Sequence, residues 1–184
     1  MRIVGGELRG RPLAGPGSNA IRPTADRLRQ SLFDILVHGH GDAVAGARVL
    51  DLFAGTGALG LEALSRGARF ALFVEDSAEA RAIIRTNVET LGQTGRSRIF
   101  RRDATRLGEI GTLAPFDLAF ADPPYGAGLG EQAFAAALAG GWLAEGALCV
   151  LEERAGTEIA PIAGLAVVDN REIGESRLVF LKKM

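Results

Sequence analysis

The stretch Val49-Leu50-Asp51-Leu52-Phe53-Ala54-Gly55-Thr56-Gly57-Ala58-Leu59-Gly60 constrains the fold of this chain more than any other. An apolar run enters a glycine-rich turn, and a segment rich in Ala, Leu and Glu follows, which is the order strand, loop, helix. Glycines at such a junction let a ligand approach the backbone at a helix N-terminus. The same rhythm continues downstream. It predicts strands over 48–53, 70–75, 97–102, 116–121 and 147–152, with helices over 57–66, 78–91, 104–113 and 130–139 between them. Alternation of this kind predicts an α/β fold with a parallel, doubly wound sheet. The tail departs from it: Leu165 to Ile173 and Arg177 to Lys182 alternate in hydropathy and are joined by Gly174-Glu175, a hairpin signal. At the other end, Arg2 to Val4 and Leu8 to Pro12 flank Gly5-Gly6 like a short hairpin, and Gly15-Pro16-Gly17-Ser18 reads as a loop. Thr24 is placed to cap a helix running to about Val37 with an apolar stripe of Leu28, Leu32, Ile35 and Leu36.

The second informative feature is Asp122-Pro123-Pro124-Tyr125, directly after the run Phe116, Leu118, Ala119, Phe120. It sets an acid, two carbonyls fixed by proline rings and an aromatic face at the open end of a buried strand, equipment suited to gripping a planar amino group. Proline ends a strand in any case, so the tetrapeptide taken alone is also compatible with a simple turn. Gly55, Gly57 and Gly60 satisfy a dinucleotide-binding pattern, and Glu75 follows at about the 20-residue distance that pattern expects. Three observations weigh against a nicotinamide cofactor. Asp51 precedes the glycines, where it would repel a diphosphate and attract a cationic ligand. The only histidines, His38 and His40, lie at the end of another helix, and the only cysteine, Cys149, lies inside a strand. The Asp122 to Tyr125 strand end would sit beside the glycine loop across the topological switch point, where a second substrate lies. S-adenosylmethionine with an amino-group acceptor accounts for all three.

On these residues the chain resembles the class I S-adenosylmethionine-dependent methyltransferases, and closely resembles the RsmD-type family of small-subunit (16S) ribosomal RNA guanine-N2 methyltransferases. The resemblance extends over Arg2 to Gly6, Arg9-Gly10-Arg11, Arg22-Pro23-Thr24, Arg27, Arg29, Leu32 and Phe33, then Asp51 to Gly60, Glu62 to Ala68, Phe73-Val74-Glu75, Asn87, Asp103 and Asp122 to Tyr125. It implies a Rossmann-like, seven-stranded, mostly parallel sheet with an antiparallel carboxy-terminal strand, plus an amino-terminal hairpin and helix. It also implies that S-adenosylmethionine is held by Asp51, Phe53, Ala54, Gly55, Gly57, Glu75, Asp103, Ala104 and Asp122. In that reading Asp51 attracts the ammonium, the backbone of Gly55 and Gly57 cradles the methionine end, Glu75 accepts both ribose hydroxyls and Asp103 accepts from the adenine amino group. Asp103 is equally placed to cap the helix that begins at Ala104.

In the same reading Asp122, Pro123, Pro124 and Tyr125 are expected to form the catalytic set. The exocyclic amino nitrogen of a purine is a weak nucleophile because its lone pair is delocalised into the ring. If Asp122 and the Pro123 carbonyl each accept one N–H, the lone pair turns outward and growing positive charge is stabilised, while Tyr125 stacks on the base. No metal is required, and a duplex would hide the atom, so an unpaired or flipped nucleotide is implied. The tetrapeptide serves adenine-N6 enzymes as well, so adenine-N6 methylation of DNA or RNA stays open from the motif, as does a ribosome-assembly binding module that has lost catalysis.

The net charge of −1 over 184 residues would be unusual for a nucleic-acid enzyme were it evenly spread. Residues 1–30 carry six arginines against Glu7 and Asp26, an arm of +4 on a body of −5. Arginine favours bidentate phosphate contact, which predicts Arg9, Arg11, Arg22 and Arg27 as RNA-binding residues, with Arg29 a candidate for turning inward to pair with an acid. The expected organisation is residues 1–40 as a basic RNA-binding extension on a methyltransferase domain of 41–184, compact overall and monomeric, acting on small-subunit ribosomal RNA or the assembling subunit. One cysteine excludes an intramolecular disulfide, and the opening Met1 to Glu7 carries no long apolar segment, so a cytoplasmic location with no membrane partner is expected. Cys149 and Trp142 read as core residues, Glu152 and Glu153 as solvated acids at a strand end, and Gly126, Gly128 and Gly130 as a loop that could close on substrate.

Overall fold

The alternation expected between residues 48 and 152 is present in the computed structural model, which describes residues 1–17 and 23–184. Seven strands, β1 (Arg48–Leu52), β2 (Phe70–Val74), β3 (Ser97–Phe100), β4 (Phe116–Ala121), β5 (Leu143–Arg154), β6 (Leu165–Ile173) and β7 (Ser176–Lys183), form one sheet in the order β3-β2-β1-β4-β5-β7-β6. The strands from β3 to β5 pair in parallel, and β7 runs antiparallel between β5 and β6. The reversal of strand order between β1 and β4 is the topological switch point, and in such sheets ligands bind at the carboxyl ends beside it.

Four helices, α1 (Pro23–Gly39), α2 (Ala58–Ser65), α3 (Ala78–Thr90) and α4 (Leu129–Ala139), cover the two faces. Because side chains alternate along a strand, Val49 joins the core with Phe33, Leu61 and Ile84 on one face. Leu50 and Leu52 join Phe134 and Trp142 on the other. Asp51 therefore falls on the α2 side of the sheet, and that placement buries it.

The amino-terminal residues fold back on themselves as the expected hairpin, with Leu13 N donating to the Met1 carbonyl at 2.9 Å, Ile3 N to the Arg11 carbonyl at 2.9 Å and Gly10 N to the Ile3 carbonyl at 2.8 Å. Regular strand pairing is limited to a single antiparallel bridge between Arg2 and Pro12, because four of the amides between them bond to α2 instead. Val4 and Gly5 donate to the two oxygens of Glu62, both at 2.9 Å. Glu7 donates to the Ser65 carbonyl at 2.8 Å and Leu8 to Ser65 Oγ at 2.9 Å. The arm is thus fastened along α2. Gly6 is required there: its φ is +77°, and a Cβ would stand 2.0 Å from the Ser65 carbonyl oxygen.

Three boundaries moved. The helix expected over 104–113 is only a 3-10 turn, Ala104–Arg106, because Gly108 and Gly111 take φ of 68° and 70°, outside helical space. β5 begins at Leu143 rather than 147, where Leu143 pairs with Phe116 across a bulge. Helix α1 extends past Val37 to Gly39, and the side chain of Thr24, expected to cap it, lies outside the described residues. Among the described residues no helix is long and apolar enough to cross a membrane.

Candidate active site

Five parallel strands deliver acids to one edge of the sheet. In register, Leu52 stands beside Val74 and Ala121, Val74 beside Phe100, and Ala121 beside Leu151. Asp103, Glu75, Asp51, Asp122 and Glu152 therefore follow one another along the carboxyl ends of β3, β2, β1, β4 and β5. A cavity of about 900 Å³ opens over the centre of that row. Its walls include Asp51, Phe53, Gly55, Asp122, Tyr125 and Glu152, and its far side is made by residues 12–17 and by Leu28, Arg29 and Leu32 of α1. The contribution of the arm and α1 to this wall was not legible locally, since it arises from their docking on α2.

Asp51 is 1% exposed. Its Oδ2 accepts from Gly60 N at 3.0 Å, and no ion pair reaches it among the described residues. Burial pushes its pKa up from 3.8 to about 8, the Gly60 amide opposes that and Glu75 adds to it. A buried carboxyl with one amide partner at a cavity wall is a receptor for a cation.

The glycine loop behaves differently from the expectation. Gly55 N donates to Glu75 Oε1 at 2.8 Å, and Gly57 N to the Ala54 carbonyl at 2.8 Å. The glycine amides are satisfied within the protein, so what the loop offers a ligand is close approach. A Cβ at Gly55 would meet nothing nearer than the Phe53 carbonyl at 4.0 Å and would project into open space on the cavity wall. Phe53 itself adopts φ of 55°, a conformation uncommon outside glycine that concentrates at functional sites.

Glu75 shapes the loop with both oxygens, the second accepting from Ser77 N at 3.0 Å. Each oxygen keeps a lone pair for a further donor. Asp103 caps the Ala104–Arg106 turn, accepting from Thr105 N at 2.9 Å and Thr105 Oγ1 at 2.7 Å. Those bonds hold its pKa below the usual value. Glu75 and Asp103 lie outside the cavity wall proper, on the flank where β2 and β3 end, and Ala104 beside them is buried.

Asp122 is exposed to the cavity, yet the concave wall surrounds its carboxyl with protein. That shielding, with Glu152, Asp51 and Glu153 nearby, raises its pKa well above the ordinary carboxylate range. Pro123 is buried, and Pro124 and Tyr125 are exposed. The Tyr125 hydroxyl donates to Glu152 Oε1 at 2.8 Å, and burial leads the causes that push its pKa to about 12. Glu152 and Glu153 are not the solvated acids expected of a strand end. Glu153 is 2% exposed and accepts from Gly126 N at 3.1 Å and Arg154 N at 2.9 Å, tying the 126–130 loop to β5. Two adjacent acids after an apolar strand were the available signal for this role.

Of the basic residues, Arg9 and Arg27 are exposed. Arg11 is exposed as well, with Nη2 donating to the Thr90 carbonyl at 2.8 Å. Arg22 lies outside the described residues. Arg29 turns inward as anticipated, 4% exposed and paired with Glu62 at 3.1 Å and Asp26 at 2.9 Å. Cys149 and Trp142 are buried in the core. Among the described residues no group of three His, Cys, Asp or Glu is placed to hold a metal ion.

Comparison with known proteins places this architecture. The family described as Conserved hypothetical protein 95 matches residues 1–182. The chain is 42% identical over 154 residues to ribosomal RNA small subunit methyltransferase D of Escherichia coli K12, covering 83% of this chain and 74% of that protein. It is 34% identical over 154 residues to the Haemophilus influenzae protein of the same name, covering 83% of this chain and 78% of that one. The solved structure of the Escherichia coli protein yhhF superposes with a TM-score of 0.82 at 32% identity, covering 100% of this chain and 97% of that one. The chain belongs to the Conserved hypothetical protein 95 family, the family of the ribosomal RNA small subunit methyltransferases D.

Proposed function

We infer that this chain transfers a methyl group from S-adenosylmethionine to the exocyclic N2 amino group of a guanine in small-subunit (16S) ribosomal RNA. The observation that carries the reading is the placement of Asp122-Pro123-Pro124-Tyr125 at the mouth of the acidic cavity, one strand from Asp51, in a chain of this family. When bound, S-adenosylmethionine supplies a methyl group already activated by its sulfonium. The residues of the chain do the remaining work. Asp51 faces the cationic end, Phe53, Ala54 and the bare Cα of Gly55 admit close approach, and Gly57 holds the turn. Glu75 receives ribose hydroxyls on its free lone pairs, and Asp103 with Ala104 borders the adenine. Asp122 and the Pro123 carbonyl each accept one N–H of the amino group, which frees the nitrogen lone pair and stabilises the charge that grows there. Pro124 keeps that carbonyl in place, and the Tyr125 ring supports the base.

Residues 1–40 act as the RNA-binding extension of the 41–184 domain in this reading, through the exposed Arg9, Arg11 and Arg27 together with Arg22. The docking of the arm on α2 supports one compact unit. The deciding experiment is mass spectrometry of nucleosides from small-subunit RNA of a strain lacking the gene. Loss of N2-methylguanosine, restored by the intact gene, is the expected outcome. Loss of N6-methyladenosine would move the acceptor to adenine, and an unchanged nucleoside profile would leave a binding module.

A further inference from the structure

Glu152 and Ser176, beside the acceptor motif, have no part in the steps above. Tyr125 is the chain's only tyrosine. Its hydroxyl, bonded to Glu152, also lies 3.3 Å from Ser176 Oγ, and Ser176 Oγ is 3.4 Å from the same Glu152 oxygen. Three segments distant in sequence meet there: the loop after β4, the end of β5 and the first residue of β7. Anchoring the tip of an exposed ring removes the swing it would otherwise have, so its face is preset for stacking. The β6–β7 hairpin thereby contributes to the site.

Glu152 has a second neighbour. Ala121 stands opposite Leu151 in the parallel β4–β5 register, so Asp122 and Glu152 follow side by side on neighbouring strands, which in a sheet are spaced about 4.8 Å apart. Both line the same cavity. Two carboxyl groups so placed hold one proton between them more readily than either would alone. The charges of Glu153 on β5 and of Asp51 on β1 add to the same repulsion. Two arginines around the cavity rim are otherwise engaged. Arg29 on α1 is ion-paired with Glu62 and Asp26, and Arg154 lies 5.9 Å over the Tyr125 ring.

We propose that Glu152 is a positioning residue with two tasks: with Ser176 it fixes the Tyr125 ring, and with Asp122 it forms the carboxyl pair that takes up the proton released by the methylated nitrogen. The proposal rests on the methyltransferase reading of this site. The step balances: the amino nitrogen gains an N–C bond as the C–S bond breaks with its electron pair going to sulfur. One N–H proton passes to the Asp122–Glu152 pair, and from there to water through the open cavity.

The test compares Glu152→Gln with Ser176→Ala. The glutamine keeps an oxygen that can accept from Tyr125 but removes the negative charge beside Asp122. Titration of Asp122 is followed by carboxyl carbon NMR in aspartate-labelled protein, with the signal assigned by its loss in Asp122→Asn. Its midpoint should fall by at least about one pH unit in Glu152→Gln, the scale of removing a like charge at this range, and stay in place in Ser176→Ala. The acid limb of the single-turnover methylation rate should move to lower pH with it. Ser176→Ala should instead change the Tyr125 ring signals and lower the rate equally at every pH. An Asp122 midpoint unmoved in folded Glu152→Gln would overturn the proposal, and so would a rate loss in that variant without a shifted limb. Wild-type protein that transfers no methyl group would refute the reading of the site itself, a failure visible before any variant is made.

Discussion

Two carboxylates are buried against α2, and they are buried in opposite ways. Glu62, 0% exposed, receives the amides of Val4 and Gly5 and the guanidinium Nε atoms of Arg29 and Arg66, at 3.1 and 2.9 Å. Arg29 also reaches the Arg2 carbonyl, so one acid knots together the arm, α1 and α2. Asp51, 1% exposed, has the Gly60 amide as its one hydrogen-bond partner among the described residues. The chain folds around the first and leaves the second to be completed by something that binds. A buried charge whose partners all come from its own chain is a fastening, whereas one short of partners at a cavity wall is a receptor.

The comparison is broken most directly at Glu62. Glu62→Ala takes a partner from the buried Arg29, from the half-buried Arg66 and from two arm amides, and breaking a buried ion-pair network from one side costs about 3–5 kcal/mol. Denaturant unfolding should show that loss. A loss below about 1 kcal/mol would mean the arm is held by apolar packing and the knot is ornamental.

Asp122→Ala should divide chemistry from folding. Removing a transition-state hydrogen-bond acceptor lowers rates by roughly 10² to 10³, so single-turnover methylation should fall by that factor while unfolding and cofactor affinity stay near wild type. Cofactor affinity that collapsed together with the rate would move Asp122 from the acceptor side of the cavity to the cofactor side.

Asp51 should respond with the opposite sign to Glu62. Its pKa rises from 3.8 to about 8 on folding, so the folded state holds the proton more tightly than the unfolded one. The stability this contributes is complete below about pH 4 and is lost as pH rises toward 8, on the order of 3 kcal/mol between pH 5 and 8. Asp51→Asn keeps an oxygen for the Gly60 amide and never acquires the charge. It should flatten that slope and make the protein more stable than wild type at pH 8, while binding S-adenosylmethionine more weakly. Unfolding curves across pH, with calorimetry of the cofactor, read both. A variant less stable than wild type at pH 8 would contradict the receptor role.

The contrast between the two acids also marks what the sequence could reveal. Asp51, the glycine loop and Asp122 to Tyr125 are local patterns, each placed by the strand that carries it, and strand alternation put them at one sheet edge. Glu62 gave only a faint signal, one acid in the otherwise apolar helix Ala58–Ser65. Its partners at Val4 and Gly5 are 58 and 57 residues away, and no local periodicity names partners at that distance. Asn87 entered the resemblance without a role, for the same reason. It clamps Ala14 through bonds of 2.7 and 3.1 Å and holds the Thr56 carbonyl at 2.9 Å, joining arm to glycine loop. Glu152 and Glu153 were misjudged for a related reason: ending a strand implies solvent only when nothing is packed beyond the end, and here the 122–126 loop and the start of β7 are.

The smallest effects should come from the arm, and they separate its two kinds of arginine. Arg9 and Arg27 point to solvent with no ion pair among the described residues, and Arg11 keeps part of its guanidinium free beyond the Thr90 carbonyl. If these residues touch phosphates, each lost contact flattens the plot of log affinity against log salt by roughly 0.7 to 0.9 unit. The loss should not depend on sequence, because phosphate contacts position a substrate rather than identify it. Arg29→Ala should behave otherwise. Its charge is spent on Glu62 and Asp26, so it should lower stability as Glu62→Ala does while the salt slope of the folded fraction holds. The measurement is binding of small-subunit RNA or of the subunit at several salt concentrations for each single variant, with unfolding curves alongside. Unchanged slopes for Arg9, Arg11 and Arg27 would make the arm purely a fastening. Recognition would then have to come from the cavity rim, where the 126–130 loop and the β6–β7 hairpin meet Tyr125.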